Sequence, residues 1–356
     1  MKEVNELGNN NQSLFYLSKM WCCPSPILRG VNRLQSFREK HSIVYQYAFQ
    51  PPHVTDESFA QRRLIGSSHK RPDSNKLVYF YPKNAPTLKA IVWILSDGWS
   101  DVDELYDDYG KLAEATQCLI IVWEYPGYGT LRVKEQAKTG KLGQVAATPQ
   151  ELKREGFELF GTVNKLSKDA GLPLLIIGTR VGGALACEIL VKKTSGHVHG
   201  LLLDRVFTST SDVLYHKLPW MFKGVWLWEP NLFSVVDLLQ KIPEKSLDGI
   251  CIQHAKEDTL GPEDTHQRLF AAARWRRFNL STVKLKRQDD WDKHHQDAEH
   301  VFASFGTWIK ETVKDLPGVS KESMLDDSTS SSSSSSYASD DESYSSSSSS
   351  GLLLDD

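Results

Sequence analysis

One stretch restricts the fold of this chain more than any other: Leu174-Leu-Ile-Ile-Gly-Thr-Arg-Val-Gly-Gly-Ala-Leu-Ala-Cys-Glu-Ile-Leu190. It opens on an apolar, β-branched run short enough for a buried parallel strand. Gly178, Gly182 and Gly183 then mark a sharp turn. From Ala184 to Leu190 the residues are helix formers at helical spacing. Strand, glycine turn and helix in this order predict a βα unit whose turn lies at a helix N-terminus. That position favours negative charge, because backbone N–H groups and the helix dipole point at it. The turn reads Gly178-Thr179-Arg180-Val181-Gly182, with a guanidinium at its centre.

The flanking sequence repeats the strand–helix rhythm. Ala90–Ser96, Cys118–Glu124, Leu172–Ile177, His199–Asp204, Asp248–His254 and Thr282–Leu285 read as strands. Asp103–Thr116 and Val301–Val313 read as helices, and Thr148-Pro149 as N-cap and first residue of a helix running to about Ala170. Alternation of this kind predicts an α/β chain with a doubly wound, mostly parallel sheet and helices on both faces. The shorter runs Ser42–Phe49 and Lys76–Tyr81 suit a β-meander on one sheet edge. Residues 213–247 interrupt the rhythm with Leu218-Pro-Trp-Met-Phe-Lys-Gly-Val-Trp-Leu-Trp-Glu-Pro230. They predict a Trp-rich lid above the strand ends, where such folds bind ligands. Trp220, Trp226 and Trp228 either line an apolar pocket or pack the lid down.

The expected organisation is an N-terminal segment over 1–41, a domain over 42–318 and a tail over 319–356. The tail is serine-rich and acidic and lacks the apolar content to fold. In the N-terminal segment, adjacent Cys22 and Cys23 sit beside large apolar residues and are followed by Arg29, Arg33, Arg38 and Lys40. Two thioacyl groups beside basic residues make the two-signal anchor that stable membrane attachment needs. A short helix ended by Pro24 and Pro26 is the alternative. The start lacks the continuous apolar core of a signal peptide, and no stretch is apolar enough to span a bilayer. The expected location is cytoplasmic, on the cytosolic face of a membrane if Cys22 and Cys23 are acylated. A formal charge of -3 spread along the chain argues against nucleic acid as a partner. The five cysteines form no disulfide framework, and Cys118, Cys187 and Cys251 lie in apolar runs typical of reduced core cysteines. Asp292, His294, His295, Asp297 and His300 match no standard zinc spacing, so no metal and no cofactor are expected.

Several blocks, in order over roughly residues 90–312, resemble the α/β-hydrolases, in particular the cytosol-facing domain proteins that remove palmitate from other proteins. The strand ending Leu95-Ser96-Asp97-Gly98 is similar to that family's Ser-His-Gly. Glu124-Tyr125-Pro126-Gly127-Tyr128-Gly129 is similar to its Asp-Tyr-x-Gly-Tyr-Gly loop. Gly178-Thr-Arg-Val-Gly182 stands at its Gly-x-Ser-x-Gly elbow, and Arg205-Val-Phe-Thr-Ser209 at its Ser-Pro stretch. His254-Ala-Lys-Glu-Asp258 and His294-His295-Gln296-Asp297 resemble its acid and histidine loops. The resemblance implies Asp258 as the acid and His295 as the general base, in the family's chain order. It implies oxyanion donors at Val181 and in the loop of Asp97, Gly98 and Trp99.

The departures all fall on the chemistry. Arg180 occupies the nucleophile position, and a guanidinium is protonated at any accessible pH. Asp97 puts a carboxylate where negative charge should develop. Thr179 and Ser96 are the nearest spare hydroxyls, and Thr179 is one residue off the apex. Arg180 is expected either to pair with Asp258, Asp97 or Asp204, or to hold a carboxylate or phosphate bidentately, with an acyl chain under the tryptophans. The expected function is therefore an inactive hydrolase-like scaffold for an unknown protein partner, at a membrane surface if Cys22 and Cys23 are acylated. The alternatives are an active lipid esterase or acyl-protein thioesterase with an unconventional nucleophile, and a sensor of an acyl or anionic small molecule.

Overall fold

The structure is a computed structural model that describes residues 76–97, 102, 105–126, 148–192, 196–217, 232–255, 264–275, 279–285 and 298–320. The run Ser42–Phe49, the segment with Cys22 and Cys23, and the serine-rich residues beyond 320 lie outside these.

The apolar runs form the strands they predict. β1 (Leu77–Phe80), β3 (Ile91–Leu95), β4 (Leu119–Trp123), β5 (Leu174–Thr179), β6 (Gly200–Asp204), β7 (Gly249–Ala255) and β8 (Asn279–Leu285) make one seven-stranded sheet in the order β1-β4-β3-β5-β6-β7-β8. β1 runs antiparallel to β4, with Leu77 opposite Trp123. All other neighbours run parallel. β3, β4 and β5 are buried at every position, because helices cover both faces and neither side of the strand meets water. A separate pair, β2 (Thr87–Leu88) with β9 (Val319–Ser320), runs antiparallel.

Side chains of successive strand residues divide between two cores. Trp93, Trp123 and Leu203 pack on one face against Phe160, Leu185, Leu239 and Leu269. These come from α2 (Pro149–Asp169), α3 (Val181–Lys192), α5 (Val235–Lys241) and α6 (Thr265–Trp275). Val92, Ile120 and Ile177 pack on the other face against Tyr109, Leu112, Phe305 and Ile309. Those belong to α1 (Tyr106–Thr116) and α7 (Ala298–Val313). A short α4 (Thr210–Lys217) follows β6.

Four elements differ from the sequence reading. α1 starts at Tyr106 rather than Asp103, α7 starts at Ala298 rather than Val301, and β8 starts at Asn279 rather than Thr282. Within the 213–247 span, α5 packs on α3 and α6 with Val235, Leu239 and Ile242 fully buried, so this part belongs to the sheet's helical layer. Residues 218–231, which carry Trp220, Trp226 and Trp228, lie outside the described residues. Among the described residues no helix is long and apolar enough to cross a membrane.

Thr148 caps α2 as expected. Its hydroxyl accepts from Glu151 N at 3.2 Å, and Glu151 Oε2 accepts from Thr148 N at 2.7 Å. This reciprocal box satisfies two N–H groups that the helix leaves over. Thr148→Ala is expected to lower stability by about 1 kcal/mol in urea denaturation. The helix is long and packed, so a change no larger than baseline scatter would show that packing alone sets its start.

Candidate functional site

Chain order places the site. The chain leaves β3 outward to β4, then crosses back through α2 to β5 on the other side of β3. The crevice between diverging connections at the C-terminal ends of β3 and β5 is where sheets of this kind bind ligands. Two ladder rows deliver the residues. Leu95 pairs with Gly178, and Gly178 with Leu203. Thr179 pairs with Asp204, and Asp204 with Gln253. The next step along each strand brings Arg180, Arg205 and His254 to the same edge. Ser96 and Asp97 reach it from β3.

The turn from β5 into α3 is as tight as its glycines require. An ideal Cβ on Gly182 would lie 2.1 Å from Leu95 O and 2.5 Å from Ser96 O. On Gly178 it would lie 2.4 Å from Gly183 Cα. The first turn of α3 is thus seated on the backbone at the end of β3. Only residues without a side chain permit that approach.

Arg180 stands at the apex with φ 51°. An L-residue in this left-handed region costs about 1–2 kcal/mol, and it persists where surrounding bonds fix it. Those bonds are present. Arg180 N donates to Asp204 O at 2.9 Å, and Arg180 O accepts from Gly183 N at 3.1 Å. The residue is 4% exposed. The expected turn is therefore present, with a buried arginine at its apex. Val181 is the first residue of α3, also buried, directly past the apex. Across the crevice, Asp97 is 2% exposed. The Tyr125 hydroxyl donates to Ser96 O at 2.8 Å and holds the start of that loop.

A second arginine repeats the geometry one strand over. Arg205 has φ 50° and is 4% exposed. Its Nη2 donates to Asp204 Oδ2 at 2.8 Å, and its Nε lies 3.2 and 3.1 Å from the two carboxylate oxygens. Gln253 Nε2 donates to Asp204 Oδ1 at 2.9 Å, and Ser304 Oγ donates to Gln253 Oε1. This corrects one expectation for Arg180. The Asp204 carboxylate is engaged by Arg205 and Gln253, and Arg180 meets Asp204 through the backbone. A fully buried carboxylate needs such partners, since burying an unpaired charge is costly. Sequence reading missed the cluster, because Asp204, Gln253 and Ser304 come together only through strand register and helix docking. It also missed the stacked imidazoles of His254 and His266, whose centroids are 4.0 Å apart.

Of the expected site residues, the structure describes Arg180 and Val181 and brings them together at the elbow. Asp258, His295, Gly98, Trp99, Trp220, Trp226, Trp228, Cys22 and Cys23 lie outside the described residues. β7 ends at Ala255 on the crevice edge, shortly before Asp258. The cysteines of the sheet and α3 offer no substitute nucleophile. Cys118, Cys187 and Cys251 are free and buried. Burial pushes the Cys118 thiol up to about 11 and raises Cys187 and Cys251 as well. A thiol held neutral is a poor nucleophile. The arrangement can hold charge and exclude water, but the described residues place no attacking group at the apex.

No family model matches the chain, and no curated protein sequence matches it. Solved structures do. An alpha-beta hydrolase from Vibrio vulnificus aligns with a TM-score of 0.50 at 16% identity, over 82% of this chain and 95% of that one. A soluble variant of monoglyceride lipase from Saccharomyces cerevisiae, in complex with a substrate analog, aligns with a TM-score of 0.49 at 10% identity, over 69% and 96%. A thermostable esterase from Pseudomonas putida gives 0.47 at 14% identity, over 79% and 97%. With its strand order, its elbow and the likeness to the Vibrio protein, the chain has the α/β-hydrolase fold.

Proposed function

We propose that this protein is a catalytically silent α/β-hydrolase-like protein that works as a binding or regulatory scaffold. One observation carries the reading: a buried arginine holds the left-handed apex of an otherwise well-formed elbow. Acyl transfer from this position needs a group that attacks a carbonyl and a base that takes its proton. A guanidinium has no lone pair to offer and does not lose its proton. Removing the nucleophile of such a triad lowers turnover on the order of 10⁶-fold. The neighbouring Thr179 belongs to β5, in register with Asp204, one residue before the apex.

Purified protein is expected neither to turn over p-nitrophenyl butyrate nor to label with a fluorophosphonate probe. Arg180→Ser is expected to label at position 180 and to raise esterase turnover at least about 100-fold. The increase is expected to vanish when His295→Ala is added. Steady ester turnover by the unaltered protein, lost on Asp258→Ala or His295→Ala, would overturn the proposal.

A further inference from the structure

We propose that His197, His199 and Asp248 form a site for a divalent transition metal of the zinc class, at the opposite end of the sheet from the elbow. One ligand atom from each residue lies within 4.8 Å of the others. The three come from the segments that lead into β6 and β7. Val198 pairs with Leu247, Val198 N donates to Ser246 O at 2.9 Å, and Asp248 N donates to Val198 O at 3.2 Å. His199 N donates to Leu174 O at 2.8 Å, which ties the segment to β5 as well.

This frame sets the side chains. Val198 and Leu247 are buried in the core. Residues on either side of an inward-facing position in an extended chain share the opposite face. His197, His199 and Asp248 each flank one of these anchors, so backbone bonds made in folding bring the three together.

The hydrogen bonds of His197 point to a cation. Its Nδ1 lies 3.2 Å from Lys245 O. A carbonyl only accepts, so Nδ1 carries the proton. Its Nε2 lies 3.0 Å from Asp248 Oδ2. A lone pair facing a carboxylate requires a positive centre between them, either a second proton or a metal ion. Metal-bound histidines commonly donate their other N–H to a backbone carbonyl, which fixes the tautomer. Tetrahedral zinc at ordinary bond lengths separates two ligand atoms by about 3.3 Å, near the distance already present. His199 Nδ1 is buried with no hydrogen-bond partner among the described residues.

Two imidazoles with one carboxylate favour zinc and its neighbours over magnesium or calcium. His197 and Asp248 are 46% and 50% exposed, so their side chains can turn to close on an ion, with water completing the shell. The sequence reading expected no metal. The signal was His197-Val-His199, a spacing that puts two imidazoles on one face of an extended segment, but Asp248 joins them only in the fold.

The test uses the full chain, stripped with chelator and titrated with Co²⁺ and then Zn²⁺. One equivalent is expected at micromolar or tighter Kd, with visible ligand-field bands from Co²⁺ and a rise in Tm on adding Zn²⁺. Asp248→Asn and His199→Ala should each weaken binding at least about 10-fold and lose the bands, with circular dichroism in chelator unchanged. A variant carrying both His294→Ala and His300→Ala should bind like the unaltered protein. If Asp248→Asn keeps the affinity and the bands, or if the unaltered protein takes up no equivalent, the site does not exist and the cluster is an imidazolium–carboxylate pair. If His199→Ala does not fold, Asp248→Asn and His197→Gln, both at half-exposed positions, decide the matter.

Discussion

Gly182→Ala is expected to lose at least about 4 kcal/mol in urea denaturation, or to leave no soluble folded protein. Adding a methyl group to a core usually costs about 1–3 kcal/mol, because neighbouring side chains turn aside. Here the obstacles are Leu95 O and Ser96 O, backbone atoms at the end of a strand buried on both faces. Relief requires either α3 to lift off the sheet or β3 to shift against β4 and β5. Either movement opens the core that Leu185 and Ile189 fill. Gly110→Ala supplies the control, since a Cβ there meets nothing within 4 Å. It should stabilise α1 by about 0.5–1 kcal/mol by reducing the freedom of the unfolded chain. Equal effects from the two substitutions would mean that the elbow relaxes freely and that its glycines are not required by contact.

Asp204→Ala is expected to cost about 3–5 kcal/mol, because it leaves the buried Arg205 guanidinium without its carboxylate. The loss also removes the acceptor of Gln253 Nε2, which links β6 to β7. The cost lies mainly in removing the negative charge beside a buried cation. Replacing Asp204 and Arg205 together with apolar residues should therefore recover much of the loss, as seen when buried pairs are exchanged as a unit. A double-mutant cycle in chemical denaturation measures the coupling. A coupling below about 0.5 kcal/mol would show that Arg205 finds another anion or water once Asp204 is gone.

The fold was legible where local chemistry decides structure. Buried parallel strands must be apolar throughout, so Ile91–Leu95, Leu119–Trp123 and Leu174–Thr179 announce themselves without their neighbours. Thr148 and Pro149 mark a helix start by hydrogen-bonding capacity and fixed φ alone. Gly178, Gly182 and Gly183 marked the elbow by their spacing, although the contacts that require Gly182 and Gly183 also reach the ends of β3 and β6 on either side. Residues 235–247 were less legible. Val235, Leu239 and Ile242 are apolar at helical spacing, but the aromatic run before them weighed more in the reading than the periodicity after it. The start of α1 was misplaced because Asp103 and Glu104 suit a first turn, whereas the cap falls at Leu105 with no side-chain hydrogen bond. Polar clusters were least legible. Asp204, Gln253 and Ser304 each suit solvent as well as interior, and only strand register and the docking of α7 assign them to the interior.

The antiparallel pair formed by β2 and β9 fixes the position of Ser320. Ser320 lies against Thr87, just ahead of the first residues of β3, whereas the crevice lies beyond the last. A fluorescent reporter attached through a cysteine placed at position 320 therefore sits at the opposite end of β3 from the crevice, on the far side of the strand from Arg180.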